Sequence, residues 1–357
     1  MATGEIDATK AEEFAGRMVG VVNDGVLCVL ASIGHQTGLF DAMAGLPPST
    51  SEEIADAAGL DERYVREWLG AITVGRIVDY EPDGGTYVLP PERAACLTRA
   101  AGPDNLALVA RLVSLSGQVE GPVIDCFRNG GGLPYSAYPG FHEFQAEFTA
   151  GAFDAALVDR VVPLVPGLRE RLEEGIDVLD VGCGAGHAIN LLARALPASR
   201  YTGYDLSEEA VALAGAEAAE LGLSNARFEP RAVDDVDETD SYDLVTAFDV
   251  IHDLPHPGAA LAAIARVLRP GGRFLMVDIA ASSHLQNNLD HPLGPIIYGG
   301  SVMHCVPVSL GQGGEGLGTA WGEERARDLL AEAGFDRVEV TQVEGDPFNN
   351  YFVASLG

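Results

Sequence analysis

The run Val178-Leu179-Asp180-Val181-Gly182-Cys183-Gly184-Ala185-Gly186 constrains this chain more than any other stretch. Ile176 to Val181 is short and apolar, as a strand buried in a parallel sheet must be, and His187 to Leu196 is an Ala/Leu-rich helix. The glycines therefore fall on the strand-to-helix turn. Glycine at such a turn permits positive φ and lets a ligand approach bare backbone. The turn predicts a nucleoside cofactor.

The region around it follows the same period. Strands are expected at 176–181, 200–204, 226–229, 242–248 and 272–278, with helices at 186–196, 207–221, about 232–238 if one forms there at all, and 257–268 between them. Alternating strands and helices predict an α/β fold with a mostly parallel sheet. A helix at 323–333 and strands at 337–343 and 350–354 close the chain, the last two able to pair as a hairpin. That makes seven strands.

The N-terminal part reads differently. Residues 11–45 carry Phe14, Met18, Val21, Val22, Val26, Val29, Leu30 and Ile33, a face too broad for a lone surface helix. Such a helix is covered by its own domain or by a second copy of the chain, which predicts a homodimer. Thr50 with Glu53 is a capping box for a helix 51–58 that Gly59 stops, and Asp61 caps a second helix reaching about Val74. Arg76 to Tyr80, a Pro82-Asp83-Gly84-Gly85 turn and Thr86 to Leu89 follow as a two-stranded wing. Helix, turn, helix and wing in that order predict a winged helix. In its second helix Arg63 and Arg66, with Arg76 just beyond, are offset by Asp61, Glu62 and Glu67, whereas a major-groove reader needs a cationic face.

Net charge is −31 and Lys10 is the only lysine, so the surface repels phosphate backbones and no nucleic-acid partner is expected. The 357 residues suffice for two cores, read as a helical and winged-helix domain over 1–100, a helical connector over 101–170 and a cofactor domain over 171–357. The connector holds Gly130 to Gly140, whose glycines and two tyrosines suit a mobile lid or a plain linker. Asn23 and Asp24 interrupt the best run of about 18 apolar residues, and the acidic segment Met1 to Lys10 lacks a signal-peptide core. A cytoplasmic protein without membrane partners is expected. Five scattered cysteines without CxxC spacing indicate free thiols.

Asp205 ends the second strand, 23 positions after Gly182, where a carboxylate can accept both hydroxyl hydrogens of a ribose; it can equally cap the helix starting at Ser207. The G-x-G-x-G spacing, with Asp180 two positions before it, favours S-adenosyl-L-methionine over NAD. With these residues the chain resembles the Rossmann-like class I S-adenosylmethionine-dependent methyltransferases that carry an N-terminal dimerisation-type winged helix, a bacterial group acting on small molecules. The resemblance implies that Asp180, Gly182, Cys183, Gly184 and Gly186 hold the methionine end of the cofactor. It places Asp205 and Leu206 at the ribose, Val233 and Asp234 at the adenine, and Phe248 and Asp249 near the methyl group. One departure is Ala232, where that family usually has aspartate, so Asp234 or the Val233 backbone must read the ring.

His252, beside Asp249 and Asp253 at the carboxyl end of the fourth strand, is the first candidate base, since removing a hydroxyl proton suits an imidazole held by a carboxylate. The competing reading is that His252-Asp253 only turns the chain into the helix at Pro257. The segment 280–322 reads as a loop longer than an ordinary crossover needs. With His284, Asn287, Asn288, His291, Tyr298, Met303, His304, Cys305, Ser309 and Trp321 it reads as the acceptor-binding insertion, His304 being the rival base. Histidines near a cysteine admit a metal, but no i, i+4 pair supports one, so no metal site is expected. The reaction expected is methyl transfer to a small-molecule oxygen or nitrogen. A non-enzymatic S-adenosylmethionine-binding regulator and an enzyme using the sulfonium charge without losing the methyl are its rivals.

Overall fold

The computed structural model describes residues 6–357; the start of the acidic segment Met1 to Lys10 lies outside the described residues. The chain divides into two compact units, Met1–Gly117 and Gln118–Gly357.

In the first unit α1 (Ala8–Gln36) and α2 (Leu39–Ala44) precede α3 (Ser51–Ala58) and α4 (Glu62–Val74). The capping box forms as its residues predict: Thr50 Oγ1 accepts from Glu53 N, and Glu53 returns a carboxylate to Thr50 N. Strands β1 (Asp79–Glu81) and β2 (Thr86–Val88) pair antiparallel as the wing. Helices α5 (Pro91–Ala94) and α6 (Leu106–Val109) follow, and α7 (Arg111–Asn129) runs on into the second unit. The core gathers Phe40, Ile54, Val65, Trp68, Leu69 and Ile72, and Trp68 Nε1 donates to the Leu30 carbonyl. His35 is buried in this unit against Asn105.

Asn23 and Asp24 do not interrupt α1, which corrects the sequence reading. By length and composition the helix is apolar enough to cross a membrane, with a mean hydropathy of 1.5, because two polar residues weigh little among so many valines and leucines. It exposes Phe14, Met18, Val19, Val22, Val26, Val29 and Ile33.

The second unit holds α8 (Phe141–Ala156), α9 (Leu168–Glu174), α10 (His187–Ala195), α11 (Glu208–Glu220), α12 (Pro257–Val267), α13 (Gly294–Gly300), α14 (Val306–Gly311) and α15 (Gly322–Glu332). Its sheet comprises β3 (Asp177–Val181), β4 (Arg200–Asp205), β5 (Ala226–Pro230), β6 (Tyr242–Phe248), β7 (Leu268–Ile279), β8 (Phe335–Thr341) and β9 (Asn349–Leu356), in the order β5-β4-β3-β6-β7-β9-β8. The first five strands pair in parallel, and β9 joins antiparallel to both β7 and β8. Successive residues of a strand face opposite ways. Leu179, Val245 and Met276 thus pack with α12 and α15, while Val178, Leu244 and Val277 pack with α9 and α10. Burial on both faces is what makes the strands read as continuous apolar runs.

Two expectations are corrected. No helix forms at 232–238: the segment Val233 to Glu238 carries acids at 234, 235, 237 and 238, and Arg231 is drawn onto Asp237 and Glu238. Residues 280–322 are not a loop, since α13, a π-helix at Ser301–Cys305 and α14 occupy the middle of the segment.

Candidate functional site

The carboxyl ends of β3, β4 and β6 flank the point where the chain leaves β3 for one side of the sheet and later returns on the other, the place where open parallel sheets bind ligands. Gly182 N and Cys183 N donate to the Tyr204 carbonyl at 2.8 and 3.0 Å, folding the turn over β4. All three glycines have positive φ, but they serve different ends. A Cβ on Gly182 would overlap Val250, and one on Gly186 would come within 2.6 Å of both Ala214 and Phe228. These two are required by packing. At Gly184 a Cβ would meet nothing within 4 Å, so the middle of the turn is bare and open. A ligand can approach the bare backbone there.

Asp205 Oδ2 accepts from Gly184 N at 2.9 Å, a bond to the glycine turn that the sequence does not disclose, and Oδ1 accepts from Ser207 N at 2.8 Å at the helix start. Ser207 itself is the N-cap of α11. A carboxylate has lone pairs beyond two such bonds, which leaves capacity for hydroxyl donors. Asp180 is 2 % exposed and accepts from Thr246 Oγ1 at 2.6 Å. Burial pushes its carboxyl up to about 7, opposed by the Thr246 hydroxyl and aided by the charge of Asp205. Thr246 was not singled out by sequence, where it is one more β-branched strand residue.

After β6, Asp249 takes φ +55, a left-handed conformation that aspartate adopts more readily than most side chains. Phe248 contacts Phe153 edge-on at 5.0 Å. With Phe148, Phe348 and Tyr351 these two phenylalanines and Asp249 border a cavity of about 80 Å3, room for a side-chain-sized group. Of the adenine candidates, Val233 is buried and Asp234 is exposed.

His252 does not cap the helix at Pro257; its ring turns inward and is 2 % exposed. Nδ1 lies 2.9 Å from Asp278 Oδ1, and because a carboxylate only accepts, Nδ1 carries the hydrogen. The same oxygen accepts from Trp321 Nε1 at 2.9 Å and Ile279 N at 2.8 Å. Asp278 and Trp321 were missed as partners of His252; an acid in the apolar run Leu275 to Ile279 is the one signal that could have found them. Burial pulls the His252 pKa down, but the charges of Asp278 and Asp253 and hydrogen bonds with Asp278 and Cys305 push it well above the usual imidazole range. Two carboxylates rather than one therefore govern the ring.

His304, the rival base, comes close to the same group, with Nδ1 4.0 Å from Asp253 Oδ2. Its ring stacks on Phe141 at 3.8 Å and meets Tyr138 and Tyr135 edge-on at 4.8 and 5.4 Å. The tyrosines belong to the segment Gly130 to Gly140, which is strapped down: Leu133 N donates to the Pro307 carbonyl at 2.8 Å and Tyr138 Oη to the Met303 carbonyl at 2.9 Å. Gly132 and Gly311 touch backbone to backbone, leaving no space for a Cβ on either. His284, by contrast, is exposed, and Asn288 spends its amide on Tyr298 and Ser282.

Residues 25–99 match the model of the Rv2258c-like winged HTH domain, and residues 172–312 match that of a methyltransferase domain. The chain is 31 % identical over 209 residues to nocamycin O-methyltransferase of Saccharothrix syringae, covering 55 % of this chain and 72 % of that one. It is 34 % identical over 106 residues to the ubiquinone biosynthesis O-methyltransferase of Aeromonas salmonicida, covering 29 % of this chain and 44 % of the relative, less than half of that protein's length. Human N-acetylserotonin methyltransferase, solved in complex with S-adenosylmethionine, has the same fold, with a TM-score of 0.67 at 17 % identity over 100 % of both chains.

Proposed function

Because the chain belongs to the methyltransferase family, we propose that it transfers the sulfonium methyl group of S-adenosyl-L-methionine to an oxygen or nitrogen of a small-molecule acceptor. The observation that carries this reading is the bare, open Gly184 tied to Asp205, a turn shaped for a nucleoside at the switch point of the sheet. Asp205 with Leu206 binds the ribose, Asp180 with Gly182, Cys183, Gly184 and Gly186 the methionine end, Val233 with Asp234 the adenine side, and Phe248 with Asp249 the region of the methyl. When bound, the donor supplies an electrophilic methyl group. The chain must align the acceptor in line with it, and for a hydroxyl it must also take a proton. That second task falls to the His252–Asp253–His304 group, in which Asp253 is the member with the most exposed side chain. Incubation with labelled donor and a panel of phenols and amines should add one methyl per product, read by mass; donor binding with cleavage but no methylated product rejects the reading.

Asp180 makes the donor affinity depend on pH. Its carboxyl titrates near 7 in the free protein, raised from 3.8, so it contributes stability below the unfolded value that is lost as pH rises through about 7. The ammonium of the methionine moiety prefers the ionised form. S-adenosylhomocysteine affinity should therefore fall about tenfold from pH 8 to pH 6 by titration calorimetry, and Asp180→Asn should flatten that slope. A slope unchanged in the variant assigns the titration elsewhere.

We also infer a cytoplasmic homodimer that binds no nucleic acid. Arg63 pairs with Glu67 and Arg66 with Glu62 on α4, which cancels the charge a phosphate would need. The exposed stripe Phe14, Met18, Val22, Val29 and Ile33 follows helical spacing and suits the same stripe on a second copy. Light scattering should give a dimer, and Val22→Asp with Val26→Asp a monomer of unchanged helicity. A wild-type monomer that sediments with lipid vesicles would instead assign the stripe to a membrane.

A further inference from the structure

Three metal-ligating groups from distant parts of the chain meet beside the end of β6. His252 and Asp253 come from the turn after that strand and Cys305 from the π-helix, with one ligand atom of each within 4.8 Å of the others. His252 Nε2 lies 3.5 Å from Asp253 Oδ1, and Cys305 shares a hydrogen bond with the same ring. His304 Nδ1 stands 3.8 Å from Cys305 Sγ and 4.0 Å from Asp253 Oδ2. Zinc binds nitrogen and oxygen at about 2.1 Å and sulfur at about 2.3 Å, so ligands of a tetrahedral site lie roughly 3.4 to 3.8 Å apart. The 3.5 and 3.8 Å separations have that spacing, and the 4.0 Å separation lies just outside it.

Its polarity points the same way. Asp278 takes the Nδ1 hydrogen of His252, which aims the other ring nitrogen at Asp253 and reproduces the carboxylate–imidazole pairing that orients zinc-binding histidines. Asp278 is itself fixed by Trp321 and Ile279. Asp253 Oδ1, the atom facing Nε2, is buried and receives no hydrogen bond, and Asp249 Oδ1 and the 1 % exposed Asp278 leave further buried oxygens unpartnered. Three carboxylates around one imidazole leave negative charge in excess. A dication bound by neutral His252, the Asp253 carboxylate and a Cys305 thiolate would make the three-ligand set neutral, the displaced thiol and ring protons passing to solvent.

We propose that His252 Nε2, Asp253 and Cys305 Sγ bind a borderline divalent cation, zinc by the softness of the ligand set, with His304 beside a fourth position left open. Local residue spacing does not disclose it, because Cys305 reaches His252 only through the fold. The proposal rests on the group already assigned to the acceptor proton, where a cation would lower the pKa of a bound hydroxyl. The test uses the full chain, stripped by chelation and desalted, then titrated with cobalt and with zinc. About one cobalt per chain should bind with a thiolate-to-cobalt charge-transfer absorption that zinc abolishes. Cys305→Ser should lose the absorption and weaken zinc uptake at least about tenfold, Asp253→Asn should weaken uptake by a similar factor, and Cys96→Ser should change neither. Substoichiometric uptake, or uptake without the absorption, overturns the proposal; if Cys305→Ser does not fold, the wild-type spectrum decides alone. S-adenosylhomocysteine binding to the same stripped sample reports separately on the donor site. Donor bound with cobalt refused rejects the metal alone, and cobalt bound with donor refused rejects the methyl-donor reading alone.

Discussion

Replacing Asp205 by alanine should weaken S-adenosylhomocysteine binding by roughly 100-fold while costing only about 1 kcal/mol of stability. The carboxylate joins Gly184 N of the turn to Ser207 N of the helix start, and both donors lie where water can replace it. Its proposed ribose contacts have no such substitute. Hydrogen bonds to a charged group contribute about 1.5 to 3 kcal/mol each when lost from a bound complex, so the two together cover the about 2.7 kcal/mol of a hundredfold, which is the lower end of the expected loss. Asp205→Asn keeps one acceptor oxygen and should fall between, near tenfold. Calorimetric titration of the three proteins checks this. Affinity in the alanine variant within threefold of wild type would remove Asp205 from the cofactor site and leave it a helix-start residue.

The second large effect is on stability. Asp278 Oδ1 receives His252 Nδ1, Trp321 Nε1 and Ile279 N, and both the histidine and the tryptophan are buried. Asp278→Ala strands these donors without water. At about 1 to 3 kcal/mol for each buried group left unpaired, the loss should be about 3 to 5 kcal/mol, or roughly 8 to 16 °C in the melting temperature of a unit this size. Asp278→Asn retains an oxygen in place and should lose less than half as much. Thermal melts and urea titrations of the two variants measure the difference. An alanine variant melting within about 2 °C of wild type would mean that His252 is held by Asp253 and Cys305 instead.

The contrast between these residues describes what a sequence discloses. Asp205 is legible because its partners are local: it follows a glycine turn by a fixed interval and precedes a helix with a serine cap. The capping box at Thr50 and Glu53, the wing and the strand–turn–helix around Gly182 are legible for the same reason. Asp278 is not, because its partners lie 26 residues before it and 43 after it in the chain. Residues 280–322 misread as a loop because the many glycines oppose helix formation locally, and Pro295 and Pro307 read as breakers although they stand in the first turns of α13 and α14. Side-chain anchors such as Ser309 to the Leu254 carbonyl and Thr319 to the Ile297 carbonyl hold the segment helical nonetheless. His284 and His304 look equivalent in sequence, and tertiary packing alone separates an exposed histidine from one stacked on Phe141.

Gly132 and Gly311 leave no room for a side chain between the segments that carry them. Those segments therefore have to be exchanged as one part, although 178 residues of chain lie between them. A chimera that imports a relative's version of 280–322 to change acceptor preference must import 130–140 with it, or the two backbones will be mismatched where they touch. Recombination points for retargeting this scaffold belong outside both.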